Sequence, residues 1–133
     1  MNDMKVILPA GWPRPKGYAN GVLAGGNTLF MAGMIGWDAQ GQIHSDDFAV
    51  QARQALKNIA DVLRAAGGVP ENIVRMTWYV TDKREYLAAS REVGQAFREI
   101  IGAYNAAMTA VEVKSLMEDR AKVEIEATAV LPQ

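Results

Sequence analysis

The chain has 133 residues, of which 50% are apolar and 22% charged, and its formal net charge is −1. This length and composition predict one globular domain over residues 1–133 and exclude long disorder and the basic stripe of a nucleic-acid-binding surface. The absence of cysteine excludes disulfides, thiolate nucleophiles and cysteine-ligated zinc.

The N-terminal segment from Asn2 to Lys16 lacks the long apolar stretch of a leader peptide, and no run elsewhere reaches the ~20 apolar residues of a membrane span. We therefore expect a cytoplasmic protein with no membrane partner. Three prolines in this segment remove backbone donors that a central strand needs, which predicts an extended arm. After the arm, the apolar runs Val22 to Ala24 and Leu29 to Ile35 flank the letters GGN. They predict a hairpin of two antiparallel strands, because glycine accepts positive φ.

Residues Ser45 to Ala66 carry the pattern of an amphipathic helix. Ser45 is the predicted N-cap, and Gly67 with Gly68 is the predicted stop. The apolar residues recur every three or four positions and form one predicted buried stripe: Phe48, Ala52, Ala55, Leu56, Ile59 and Leu63.

A strand followed by a second helix is predicted between Ile73 and Gly102. The strand alternates in character, and one of its faces is formed by Val74, Met76, Trp78 and Val80. Asp82 and Glu85 resemble a capping box at the start of the helix. The predicted stripe of that helix is formed by Tyr86, Ser90, Val93, Phe97 and Ile101.

The segment from Asn105 to Val113 is predicted to be a loop that runs into a strand, and Ala121 to Val130 is predicted to be the last strand. The final strand alternates, so one of its faces is predicted core: Val123, Ile125, Ala127 and Ala129. The order β-β-α-β-α-β-β is an α+β arrangement in which two helices cover only one face of a mixed sheet. The second face still carries partly apolar groups, which predicts self-association: Thr77, Tyr79 and Met34.

Six blocks occur in the order and spacing of a known family: GYANGV, LFMAGMIGWDAQGQI, QARQALKNIADVLRAAGG, IVRMTWYVTD, TAVEV and VEIEATAV. With these blocks the whole chain resembles the RidA/YjgF family, also labelled endoribonuclease L-PSP. The resemblance implies a chorismate mutase-like fold assembled as a homotrimer, with a small-molecule ligand bound between subunits. It also implies a deaminase with no cofactor of its own. Such a hydrolase converts enamines and imines, including the 2-iminoacids formed by PLP enzymes, into ketoacids and ammonia.

The resemblance implies roles for individual residues. Tyr18 matches the tyrosine that closes the family's cleft, and Glu124 matches the acid that activates the attacking water. Backbone groups around Gly33, Met34 and Ile35 would line the same site. A carboxylate suits this reaction because it can take a proton from water and return one to the leaving amine. Without the motif, a glutamate on the polar face of a strand is more often only solvated.

Three positions depart from the family's pattern. Met108 stands where the family has the arginine that clamps the substrate carboxylate, while Ser90 and Val93 replace an asparagine and a tyrosine. Losing one charge-assisted contact removes about 1.5 to 3 kcal/mol of binding, so small anionic 2-iminoacids are expected to bind poorly. Outside a cleft, a methionine is more often a core side chain. The loop SLMEDRAKVEIE is one residue longer than usual, so Glu124 is matched by its motif and not by a count.

Other side chains are weaker candidates. By chemistry alone, four cations are possible replacements for the missing arginine, although each is more often a surface charge: Arg14, Lys16, Arg75 and Arg120. Three aromatic residues are candidates for the floor of an apolar pocket, although such residues usually pack in a core: Trp12, Trp37 and Tyr79. The only histidine, His44, is predicted to lie in an exposed loop, and alone it does not predict a metal site.

Two hypotheses of function remain open. Tyr18 and Glu124 favour a divergent enamine or imine deaminase that takes larger or less anionic substrates. Met108, Ser90 and Val93 favour a non-catalytic trimer that binds a small apolar metabolite. RNA cleavage, which the family's older label suggests, has neither a basic groove nor a histidine pair to support it, so nucleic acid is not an expected partner.

Overall fold

A computed structural model describes residues 5–15, 20–103 and 106–132. Within these ranges one mixed sheet contains six strands in the order β1-β2-β3-β6-β4-β5. The strands and helices follow the chain as β1 (Lys5–Ile7), β2 (Gly21–Ala24), β3 (Thr28–Met34), α1 (Phe48–Ala65), β4 (Ile73–Val80), α2 (Lys83–Ala88), α3 (Ser90–Ile100), β5 (Ala107–Glu112) and β6 (Val123–Val130). None of the helices in these ranges combines the length and the apolar character needed to cross a membrane.

The predicted hairpin is confirmed. β2 and β3 pair antiparallel, and the turn between them places Gly25 and Gly26 at φ of 60° and 83°. The extended-arm prediction is wrong at its start, because Lys5–Ile7 forms β1 and pairs antiparallel with β2. This strand ends before the first proline of the segment, so it keeps all its backbone donors.

The first helix begins later than predicted, at Phe48. Asp47 is the N-cap and accepts a hydrogen bond from the Val50 backbone N–H, whereas the Ser45 hydroxyl accepts from the Asp47 N–H and caps the preceding turn. The predicted apolar stripe is confirmed, since all six of its residues are buried. Gly67 ends the helix region at φ 85°, a conformation that glycine adopts without strain.

The second predicted helix is two helices, α2 and α3, which meet at Ala89. Asp82 caps the start of α2 as predicted, accepting from the Arg84 N–H. The Ser90 hydroxyl donates to the Leu87 carbonyl at 2.7 Å, so it satisfies a carbonyl at the break. Ser90 is exposed and does not belong to the buried stripe, which contains Val93 and Phe97.

All three helices cover one face of the sheet, as the fold class predicted for its helices, and the core lies between the two layers. The predicted core face of β6 is confirmed. In β4 the prediction is wrong for Val74, which is 44% exposed, because the register with β6 shifts between Ile73 and Arg75. This irregularity turns Ile73 into the core in place of Val74.

The other face of the sheet, called here the open face, is not covered by any described element. It carries Thr77 and Tyr79 as predicted, together with the half-exposed Phe30. Met34 was predicted on this face, but it is 2% exposed in the helix-side core, because a register shift after Met31 reverses its side.

Candidate functional site

Glu124 lies on the open face of β6 and packs across Gly33 of β3. The register between these strands shifts between Met31 and Met34, so Ala32 and Gly33 form a bulge opposite one residue of β6. A Cβ atom on Gly33 would stand 2.7 Å from Cδ of Glu124. Any larger residue at position 33 would therefore force the Glu124 side chain out of this conformation.

The surroundings of Glu124 favour its protonated form. Burial raises the pKa of its carboxyl above the ordinary value, and the charge of Glu126 raises it further. The two glutamates share a face because they lie two positions apart in a strand. A carboxyl with a raised pKa exchanges protons closer to neutral pH, which is what general acid–base chemistry requires.

Tyr79 of β4 lies next to both carboxylates of this pair. It pairs with Glu124 across β4 and β6, and its hydroxyl donates to the Glu126 carboxylate at 2.6 Å. That hydrogen bond is the main cause that raises the pKa of the Tyr79 hydroxyl. Tyr79 is therefore part of a polar network on the open face and not the floor of an apolar pocket. Beside it is a hollow of about 240 Å³ lined by Phe30, Met31, Arg75, Thr77, Glu126, Ala127 and Thr128.

Of the three positions whose backbone was expected at the site, Gly33 packs directly against Glu124. The Met34 side chain packs in the helix-side core. The Ile35 side chain is buried in a second apolar cluster, and its carbonyl accepts a hydrogen bond from the Asn58 amide at 3.0 Å. The side chains of the two residues after Gly33 are therefore held in the two apolar clusters.

Met108 lies on the opposite side of the sheet from Glu124 within one chain. It pairs with Met76, which is fully buried on the helix side, and paired residues on neighbouring strands project to the same face. Because β5 is the edge strand, Met108 remains 41% exposed and is not a core side chain.

Ser90 and Val93 also lie on the helix side. Val93 is buried among the core residues, whereas Ser90 is exposed at the start of α3. One chain therefore separates the predicted residues into two groups. Glu124 and Gly33 form an open-face group, while Met108 and Ser90 form a helix-side group. Tyr18 lies outside the described residues.

Among the candidate cations, Arg120 is occupied. Its guanidinium donates to the Ile43 carbonyl and to Asp46, which joins the loop before β6 to the loop before α1. Arg75 lines the open-face hollow next to Glu126, so it is the cation on the same face as Glu124. Arg14 lines a different cavity, together with Trp12 and Trp37. Lys16 is outside the described residues.

Asn20 is a residue that the sequence reasoning did not find. Its side chain is 7% exposed, and its amide oxygen is buried with no hydrogen-bond partner among the described residues. The Asn20 carbonyl accepts from the Ala32 N–H, so the ladder of β2 and β3 extends to this pair. Alternation from Val22 then places Asn20 on the open face beside Gly33. The sequence signal for this placement was that Asn20 stands two residues before Val22 of β2, since residues two apart in a strand share a face.

His44 is exposed, as predicted, and its Nε2 lies 2.5 Å from the Asp38 carboxylate. Across residues 5–15, 20–103 and 106–132, no three histidine or acidic side chains come together in a way that could hold a metal ion.

Comparison with known proteins shows similarity over almost the whole chain. The family model described as endoribonuclease L-PSP matches residues 13–131. A RutC family protein of Synechocystis is 38% identical over 97% of this chain and 98% of its own length. The human 2-iminobutanoate/2-iminopropanoate deaminase is 32% identical over 95% of this chain and 89% of its own. The crystal structure of the E. coli YjgF gene product superposes with a TM-score of 0.83 at 33% identity, covering 95% and 98% of the two chains.

Proposed function

Because the chain belongs to the RidA/YjgF family, also called the endoribonuclease L-PSP family, we propose that it is an imine and enamine deaminase with Glu124 as its acid–base group. We further propose that its substrates are less anionic than the small 2-iminoacids. The observation that carries the first part is the packing of Glu124 over Gly33, where burial raises the pKa of the carboxyl.

The chemistry assigned to Glu124 requires one proton acceptor and one proton donor. The carboxylate takes a proton from water as the water oxygen attacks the carbon of the protonated imine, whose nitrogen becomes a neutral amine. The protonated carboxyl then returns this proton to the nitrogen, which makes it an ammonium leaving group. The carbon–nitrogen bond breaks, ammonia leaves, and the hydroxyl proton passes back to the Glu124 carboxylate as the carbonyl group forms. A raised pKa suits this exchange because the group must hold a proton during part of the cycle.

We place the cleft between subunits of a homotrimer. Within one chain, Met108 and Ser90 lie on the side of the sheet opposite to Glu124 and Gly33. A cleft that contains both groups therefore takes the open-face group from one subunit and the helix-side group from its neighbour. The open face carries the half-exposed Phe30, and every residue of the edge strand β5 is exposed. Both features support packing against a second subunit.

Met108 carries the second part of the proposal. A methionine offers a soft apolar surface, whereas the family's arginine would offer two charge-assisted hydrogen bonds to a carboxylate. On the open face, the arginine that is a candidate to replace the missing one is Arg75, which lines the same hollow as Glu126. A substrate that lacks a carboxylate loses nothing by this exchange.

Ammonia release tests the activity. Imines are generated in situ with an amino-acid oxidase, which yields an anionic substrate, or with an amine oxidase, which yields a neutral one. Wild type is expected to accelerate hydrolysis of the neutral imine more than that of the anionic one. Glu124→Gln is expected to lose about 100- to 10,000-fold in rate, the usual contribution of general acid–base catalysis. Full activity in Glu124→Gln would refute the assignment.

Mixed trimers test the placement of the cleft. Glu124→Gln disables the open-face group, and Met108→Glu disables the helix-side group by adding a charge. Each variant alone is expected to be inactive. After the two are unfolded and refolded together, random assembly leaves about a quarter of the clefts with both groups intact, so activity should return. A mixture that stays inactive would mean that both groups serve the same cleft from one chain.

A second function, a non-catalytic trimer that binds a small apolar metabolite, is favoured by the half-exposed Met108 alone. It becomes the better account if wild type and Glu124→Gln both leave imine hydrolysis at the uncatalysed rate. In that case a trimer should still form at micromolar concentration, which sedimentation equilibrium would measure.

A further inference from the structure

A second cavity lies apart from Glu124, where the N-terminal arm crosses the turn after β3. Its volume is about 250 Å³. The arm contributes residues 12–15, the turn contributes residues 37–41, and α1 contributes Asn58. Two tryptophans and two prolines give it large flat apolar surfaces: Trp12, Trp37, Pro13 and Pro15. A cavity of this size and surface suits a small planar ring system.

The walls of the cavity are held in place by other parts of the chain. The Trp12 side chain packs against the main core, and the backbone N–H of Trp12 donates to the Pro9 carbonyl. Trp37 packs against the second cluster, and its carbonyl accepts from the Asn58 amide at 2.8 Å. Both indoles are therefore supported on one side, and the site needs little ordering when a ligand enters.

The polar side chains around the turn already have hydrogen-bond partners within the chain. Both oxygens of Asp38 are hydrogen-bonded, to the N–H groups of Gln40 and Gln42 and to the His44 ring. The hydrogen bond from His44 is the main cause that lowers the pKa of Asp38. The Asn58 amide is likewise occupied, because its oxygen accepts from Gln54 and its nitrogen donates to two carbonyls.

Arg14 is different from these groups. It lines the cavity and makes no hydrogen bond or ion pair with any residue in the described ranges. Of the two charged side chains in the lining, Arg14 thus has no partner within the described ranges, whereas Asp38 already accepts three hydrogen bonds. A guanidinium next to indole rings recognises a planar anion well, because it can pair with a carboxylate in a bidentate way and stack on the ring.

We propose that this cavity, formed by Trp12, Arg14 and Trp37, is a binding site for small aromatic carboxylates, separate from the Glu124 site. The ring lies between the tryptophan and proline surfaces, and the carboxylate pairs with Arg14. A site for an aromatic ammonium is the opposite possibility, since Asp38 and two indoles could attract a cation. The engagement of both Asp38 oxygens favours the anion.

The test uses 2-naphthoate and follows the three indole N–H signals in a proton–nitrogen correlation spectrum. Trp12 and Trp37 signals are expected to shift and saturate, while Trp78, which is buried in the core and does not line the cavity, is expected to stay unchanged. Arg14→Gln should weaken binding tenfold or more, as expected for one lost charge-assisted contact. Arg84→Gln, which removes an exposed arginine of α2 that does not line the cavity, should bind as wild type does.

Three further results would each overturn the proposal. The first is equal binding of the neutral 2-naphthamide, and the second is tighter binding of 2-naphthylmethylammonium. The third is loss of the Trp12 and Trp37 shifts in Glu124→Gln, because the ligand would then occupy the other site. Shifts that persist in Glu124→Gln are expected, and they do not depend on whether the protein hydrolyses imines.

Discussion

Toward the helices, β6 buries four apolar side chains that are at most 2% exposed, whereas toward the open face the same strand presents Glu124 and Glu126. The first set packs against α1 in the apolar core. The second set brings two carboxylates together at a cost that appears as the raised pKa of Glu124. A carboxyl with a raised pKa on a sheet face that no described layer covers is typical of a functional surface.

Two asparagines repeat this contrast. Asn58, under the turn after β3, is 3% exposed, and both ends of its amide are hydrogen-bonded. Asn20, on the open face, is about as buried, but its oxygen has no partner among the described residues. The surroundings of Asn58 are therefore complete within one chain, although the indole N–H of Trp78, buried on the helix side, also has no partner among the described residues. On the open face, the missing partner of Asn20 is one that a second subunit or a ligand would supply.

The largest expected effect separates the two faces of β6 by stability. Ile125→Ala leaves a cavity in the core and is expected to lower the free energy of unfolding by about 2 to 5 kcal/mol. Glu124→Gln should not lower it at neutral pH. Because the folded-state pKa of Glu124 is raised, the folded chain binds more protons than the unfolded chain between the two pKa values. Wild type therefore loses stability as pH rises through that window, and glutamine removes this loss.

Urea unfolding at pH 7 and at pH 4 measures both variants. The comparison of faces breaks if Glu124→Gln unfolds more easily than wild type at pH 7 while Ile125→Ala does not.

The faces of most elements could be predicted from the sequence because a simple period sets them. The two-residue alternation of β6 and the three- and four-residue spacing of α1 both gave the correct buried side. The errors fall where the period is interrupted, at Val74 and Met34. In each case a register shift between neighbouring strands reverses the side, and a shift depends on the partner strand, which one strand's letters do not specify. The break at Ala89 is local, and its signal was a serine one residue later.

The next effect concerns the helix-side half of the proposed cleft. Met108→Arg is expected to increase hydrolysis of 2-iminopropionate by about tenfold or more, which corresponds to one restored contact of ~1.4 kcal/mol or more. Hydrolysis of a neutral imine should not increase, because it has no carboxylate to pair. Met117→Arg is the matched control, since Met117 is a fully exposed methionine in the loop before β6. An equal gain in both variants would show a general charge effect and not a restored clamp.

A smaller effect distinguishes the two asparagines. Asn20→Leu removes an unpaired buried oxygen and is expected to raise the stability of the chain by roughly 1 kcal/mol. Asn58→Leu, at a similarly buried position, should lower stability by about 1–3 kcal/mol for each carbonyl that loses its donor. Thermal unfolding of both variants gives the comparison. In the proposed trimer, weaker association of Asn20→Leu would instead mean that a neighbouring subunit supplies a donor to the Asn20 oxygen.

The candidate site was less accessible to sequence reasoning than the fold. The motif VEIEA was enough to select Glu124, but its neighbours come from three strands that are distant in the chain. Gly33 is placed by the bulge in β3, Tyr79 by the register of β4, and Asn20 by an extension of β2 beyond its glycine. The opposite sides of Met108 and Glu124 also follow only from strand pairing, because β5 joins the sheet parallel to β4.

The smallest expected effect concerns the two glutamates themselves. Burial is the first cause that raises the pKa of Glu124, and the charge of Glu126 is the second. Glu126→Gln removes only the second cause, so the pKa of Glu124 should fall toward its ordinary value without reaching it. The change can be followed directly through the carboxyl carbon of Glu124 in a nuclear magnetic resonance titration, which does not require a substrate. In the deaminase assay the acid side of the pH–rate profile should move in the same direction, since the base form of Glu124 then persists to lower pH.

Glu71→Gln, in the exposed turn before β4, supplies a variant with the same charge change away from the site. If Glu71→Gln lowers the pKa of Glu124 as much as Glu126→Gln does, the effect comes from net charge and the pair on the open face has no local role. If the pKa returns fully to its ordinary value in Glu126→Gln, burial contributes nothing, and the open face is more solvated than its packing over Gly33 indicates.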